Sequence, residues 1–96
     1  MSKEIRDRFT EQLFKAVLKL ENVDECYRFF CDIATIGEIK ALGQRLEVAR
    51  MLKNGYTYDH IVEETGVSTA TISRVKRSLE YGEDGYNLIL NRLESE

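Results

Sequence analysis

The stretch that decides the fold runs from residue 57 to residue 82, TYDHIVEETGVSTATISRVKRSLEYG. Thr57 offers a helix N-cap, Ile61 and Val62 supply an apolar inner face, and Gly66 permits the positive φ of a sharp turn. Val67 follows as an apolar plug, Ser68 as a second cap, and Ile72, Val75 and Leu79 recur at helical spacing. The positions between them are small, polar or basic: Ser68, Thr69, Ala70, Thr71, Ser73, Arg74, Lys76 and Arg77. Two short helices joined by a tight turn, the second with an open polar face, make a helix-turn-helix over Thr57 to Leu79. An amphipathic hairpin with solvated serines and threonines is the simpler alternative, but the joint pattern is much rarer than its parts. Short side chains at the start of the second helix suit entry into a DNA major groove about 12 Å wide. The free N–H groups at that end suit a phosphate oxygen. Ser68, Thr69, Ala70, Thr71, Ser73, Arg74, Lys76 and Arg77 are therefore the expected contacts to double-stranded DNA.

Upstream of this motif the pattern is helical throughout. Ile5, Phe9, Leu13, Phe14, Ala16, Val17 and Leu20 predict an amphipathic helix over Lys3 to Leu20, capped by Ser2. Asn22, with Glu25 three residues on, opens a second helix whose apolar residues, Val23, Tyr27, Phe29, Phe30 and Ile33, spread around much of its circumference. Thr35 and Glu38 form a capping box for a third helix to about Lys53, with Ile39, Leu42, Leu46, Ala49, Met51 and Leu52 apolar and Asn54-Gly55 as its stop. Beyond Gly82, a short last helix is expected from Tyr86 to Leu93, with Leu88, Ile89, Leu90 and Leu93 as its apolar residues. No segment alternates with period two over a strand's length, so the predicted class is all-α with about six helices. One domain is expected over 1–96, divided into N-terminal helices at 1–34, a central helix at 35–55, the helix-turn-helix at 57–81 and the last helix at 86–93.

The charge balance argues partly against DNA. Fourteen basic and seventeen acidic residues give −3, whereas nucleic-acid binders tend to be basic. Net positive charge is confined to two segments, residues 33–56 and 68–80, each +2. Residues 57–67 carry Asp59, Glu63 and Glu64 with no basic partner, so phosphate contacts must come from Arg45, Arg50, Lys53, Arg74, Lys76 and Arg77. Cys26 and Cys31 lie in an apolar stretch without a nearby histidine and read as small buried residues rather than a metal or disulfide framework. His60 is the sole histidine and is expected to face water. With no Gly-rich phosphate loop, Cys/His pairing or helical metal motif, no enzymatic activity is expected. The opening MSKEIRDRFTEQ is charged throughout and no run is long enough to span a bilayer, so a cytoplasmic location is expected.

At Ala41-Leu42-Gly43-Gln44-Arg45 and Ala70-Thr71-Ile72-Ser73-Arg74 the chain resembles the Trp repressor superfamily, and more closely its bacterial YerC/YecD branch. The resemblance covers about Thr35 to Leu79. It implies an intertwined helical homodimer in which residues 1–34 serve dimerisation, with two reading heads facing a palindromic operator. It also implies an effector pocket at Thr35, Arg45, Arg74 and Ser78. The residue after the second arginine is glycine in Trp repressors, leaving room for an indole, whereas Val75 stands here. No tryptophan cofactor is therefore expected; a different small carboxylate effector is the remaining possibility for that pocket. The reading is a transcriptional regulator, a repressor by resemblance. The alternative is a protein-interaction module of the transcription machinery that keeps the fold and uses its acidic surfaces at 57–67 and 81–96.

Overall fold

The computed structural model describes residues 5–96, and among them every regular element is helical. In chain order the six helices are α1 Arg8–Val17, α2 Val23–Ile33, α3 Ile36–Lys53, α4 Tyr58–Thr65, α5 Thr69–Tyr81 and α6 Gly85–Glu94. The all-α class and the order of elements follow the sequence reading.

Local chemistry sets most of the boundaries. Thr35 and Glu38 close their capping box from both sides: Thr35 N–H donates to Glu38 Oε1 at 2.8 Å and Glu38 N–H donates to Thr35 Oγ1 at 3.1 Å. Hydrogen bonding from Thr35, its backbone N–H first and its hydroxyl second, holds the Glu38 carboxyl below its ordinary pKa. Asn22 caps α2 as expected, accepting from Glu25 N–H at 2.8 Å. The Glu25 carboxylate, however, accepts from Glu21 N–H at 2.9 Å, one residue before the cap. The first helix starts later than the sequence suggested. Asp7, in extended backbone, accepts from Thr10 N–H at 2.7 Å and caps α1 at Arg8. Ser2, the expected cap, and Lys3 lie outside the described residues.

By contact the chain divides into two compact units, Met1–Ile39 and Lys40–Glu96. The second has a closed core: Val48, Ala49 and Met51 of α3, Ile61 of α4, Val67 of the turn, Ile72 and Val75 of α5, and Leu90 of α6. Leu46, Leu52, Tyr58, Val62, Leu79 and Tyr86 pack against it. Two sequence expectations change here. Val48 is wholly buried although it was not among the expected apolar positions, and Leu42, which was, is 54% exposed. The C-terminal half of α3 buries a broad arc, so one heptad-like stripe does not describe the whole helix. On α6, Leu90 and Tyr86 face the core while Leu88, Ile89 and Leu93 remain exposed.

The first unit is different in kind. Not one described residue from 5 to 39 is buried. Phe9, Phe14, Leu18, Val23 and Tyr27 are all more than half exposed. The two cysteines, expected to be buried, are free thiols, with Cys31 exposed and Cys26 half-buried. Leu13, Val17, Leu20, Phe29 and Phe30 are half-buried, so these helices are held by caps, internal hydrogen bonds and partial packing while their other large apolar side chains stay exposed.

Candidate nucleic-acid interface and the adjoining cleft

Short-range hydrogen bonds build the turn between α4 and α5. Thr57 Oγ1 accepts from His60 N–H at 3.2 Å and starts α4. At the other end, Gly66 N–H donates to the Val62 carbonyl at 2.8 Å and Gly66 turns the chain at φ 74°, in the left-handed region. Thr65 adds a brace that the sequence reading missed: its hydroxyl donates to the Ile61 carbonyl at 2.7 Å and accepts from Val67 N–H at 3.3 Å. Gln44 Nε2 on α3 reaches the Thr65 carbonyl at 3.4 Å and ties the turn to the central helix. Val67, at 9% exposure, then packs into the core. Gly66→Ala leaves the bonds intact but forces a Cβ into a left-handed residue, an expected cost of roughly 1–2 kcal/mol in urea denaturation. An unchanged midpoint would show that the turn can rearrange.

Beyond the turn, Ser68 caps α5 by accepting from Thr71 N–H at 3.2 Å. Ile72 and Val75 are buried and Leu79 is half-buried, so the inner face of α5 is the one the spacing assigned. The opposite face is open. Ser68, Thr69, Ala70, Ser73, Arg74, Lys76 and Arg77 are exposed; Thr71 is half-buried. Among the described residues Arg74, Lys76 and Arg77 make no ion pair. Their charges remain free for an external anion.

The other expected cations fare differently. Arg50 is engaged by Glu47 one turn earlier, through Nε at 2.8 Å and Nη2 at 2.7 Å. This two-point bond raises the Arg50 guanidinium above its ordinary value and lowers Glu47 below its own. Arg50 thus carries its counter-charge with it. Lys53 Nζ donates to Asn91 Oδ1 on α6 at 2.9 Å, which fixes the side chain without neutralising it. Asp59, Glu63 and Glu64 leave the outer side of α4 acidic and exposed. His60 is half-buried rather than facing water, its ring stacked on Tyr56 with centroids 5.0 Å apart.

On the flank of α5 a cleft of about 250 Å³ is lined by Arg45, Thr71, Arg74, Val75, Ser78 and Tyr86. It brings together three of the four residues anticipated for an effector: Arg45, Arg74 and Ser78. Thr35 is not in its lining, and the Thr35 hydroxyl is occupied as the cap of α3. Tyr86 enters from α6, across a separation that no local pattern signals. Val75 is only 3% exposed, its branched side chain shared between the core and the floor of the cleft. The described residues contain no group of three or more His, Cys, Asp or Glu placed to hold a metal, and no described helix is long and apolar enough to cross a membrane.

Comparison with known proteins agrees with this architecture. The sequence is 57% identical over 89 residues to the uncharacterized protein YerC of Bacillus subtilis (strain 168), covering 93% of this chain and 86% of that one. Its structure matches that of a candidate Trp repressor from Staphylococcus aureus with a TM-score of 0.94 at 53% identity, over 100% of this chain and 96% of that one. A TrpR-like protein from Eubacterium eligens ATCC 27750 matches with a TM-score of 0.92 at 54% identity, over 95% and 94% of the two chains. The pattern of the Trp repressor protein family matches residues 9–94. The chain therefore belongs to the Trp repressor family, a family of DNA-binding regulators.

Proposed function

We propose that the protein is a sequence-specific DNA-binding transcriptional repressor that acts as a homodimer in the cytoplasm and is not controlled by tryptophan. The observation that carries this reading is the division of α5 into a buried face and an open face. Ile72 and Val75 anchor the helix, while Ser68 to Arg77 present short polar side chains followed by unpaired cations. Ser68, Thr69, Ala70, Thr71 and Ser73 are assigned to the groove, and Arg74, Lys76 and Arg77 to phosphates. Two such helices related by a two-fold axis would read half-sites about 34 Å apart.

Dimerisation is supported by the uncovered first unit. A chain in which none of the described residues 5–39 is fully buried, and in which Phe9, Phe14 and Tyr27 are more than half exposed, gains most by covering them with a second copy. Independence from tryptophan is supported by Val75, which occupies with its own methyl groups the space a glycine would leave. Titration calorimetry with L-tryptophan is expected to give no saturable heat; binding tighter than about 1 mM would return the Arg45–Arg74 cleft to an indole.

The competing reading, a protein-interaction module, draws on the exposed acids of α4. Selection from a random duplex DNA pool separates the two. Enrichment of a palindrome, with affinity falling steeply in salt, is expected; no enrichment at all, with a nuclease-resistant protein partner, would transfer the function to that module.

A further inference from the structure

A second cleft, of about 310 Å³, lies where the α3–α4 connection meets α5 and α6, on the flank of α5 away from the Arg45–Arg74 cleft. We propose that it is a binding site for a small organic anion with an aromatic or apolar body. Leu52 and Leu79, both half-buried, supply apolar surface, and the rings of Tyr56 and Tyr58 stand beside them. The Tyr56 ring is backed by the stacked His60, and Lys53 is held by Asn91, so one wall and one cation are already in place before anything binds. Lys53 and Lys76 outnumber the single carboxylate of the lining, Glu80, so the preferred head group is a carboxylate or a phosphate. The volume falls at the small end of ligand pockets, roughly 300–1,000 Å³, and matches a single-ring acid. A bare phosphate of a DNA backbone would satisfy the lysines but leave the leucine and tyrosine surfaces unused, which favours an amphipathic small molecule.

The site connects the end of the central helix to the start of α4 and to α5. A ligand there would bridge the elements that set how the reading head is held, and it would engage Lys76. The proposal does not rest on DNA binding, and the arms that support it contain no DNA.

The experiment is amide chemical-shift mapping of the full isotopically labelled chain. Phenylacetate is the probe, benzyl alcohol the uncharged control and inorganic phosphate the head group alone. Phenylacetate is expected to shift residues 53–58, Lys76 and Glu80 saturably, with a Kd of about 1 mM, while both controls bind at least about tenfold more weakly. Lys53→Gln should weaken phenylacetate about tenfold and Glu80→Gln should tighten it, opposite signs that simple damage to the fold does not give. Both substitutions are at exposed positions, and the spectra report their folding directly. Equal binding of benzyl alcohol, shifts confined to Arg45, Arg74 and Ser78, or no saturable shift overturns the proposal. Response of these residues to duplex DNA but not to phenylacetate also overturns it and makes the cleft part of the DNA interface.

Discussion

Ile72→Ala is expected to destabilise the C-terminal unit by roughly 2–5 kcal/mol, enough to leave much of it unfolded at temperatures where the parent is folded. Ile72 is wholly buried, and the core it belongs to draws on α3, α4, the turn, α5 and α6. Truncation removes the methyl groups that hold α5 against α4 and leaves a cavity that a unit of this size has little means to refill. Whole-domain stability is commonly only about 5–15 kcal/mol, so one such cavity consumes a large part of it. Urea denaturation followed by circular dichroism, at fixed protein concentration because the proposed association would contribute to stability, gives the measurement. Arg77→Ala, on the open face of the same helix, should change the unfolding free energy by less than about 0.5 kcal/mol. If both substitutions cost the same, the two-faced description of α5 is wrong.

This contrast also shows why so much of the motif could be read from the sequence. Caps act over three residues, so Thr35, Thr57 and Ser68 betray their helices without any knowledge of the fold. Gly66 does the same for the turn, and the spacing of Ile72 and Val75 fixes which side of α5 is inward. Where two capping residues compete, local information fails: Ser2 and Asp7 both precede an amphipathic run, and Asp7 starts the described helix. Burial along α3 was less legible because Val48, Ala49, Met51 and Leu52 cover a broad arc that only several neighbours at once can fill. Exposure of Cys31 and Leu42 belongs to the chain alone and could not be inferred from residue type, which reports only that an apolar side chain needs covering.

The candidate site divides along the same line. That Arg74, Lys76 and Arg77 share a segment is a matter of spacing, and so in principle is the loss of Arg50 to Glu47 one turn away, an arrangement familiar from helix surfaces. The cleft is another matter. Arg45, Arg74 and Tyr86 are brought together from three helices, and the last of these carries no sequence signal that it belongs there. A resemblance supplied Arg45, Arg74 and Ser78; only the packing of α6 supplies Tyr86.

The free cations of α5 give the sharpest test of DNA binding. Arg77→Ala is expected to weaken the protein's selected DNA sequence at least about tenfold near 0.15 M salt. Its signature lies in the salt dependence. Each phosphate contact contributes about −0.9 to the slope of log K against log salt, and a dimer loses two contacts when one arginine is removed from each chain. The slope should therefore become shallower by about 1.8. Arg50→Ala should leave it nearly unchanged, because the Arg50 guanidinium is already paired to Glu47 at 2.7 Å. Lys76→Ala should behave as Arg77→Ala does, while Ser73→Ala, lacking a charge, should alter which bases are selected without altering the slope. Sedimentation at the concentrations used for binding must show the same oligomer for every variant, so that a lost slope reports lost contacts and not lost association. A slope that falls equally for Arg50→Ala and Arg77→Ala would mean that the Glu47 pair opens on DNA, and the contact surface would then extend back along α3. A slope unchanged by Arg77→Ala would take the outer face of α5 away from the phosphates, and with it the main support for placing this helix in a groove.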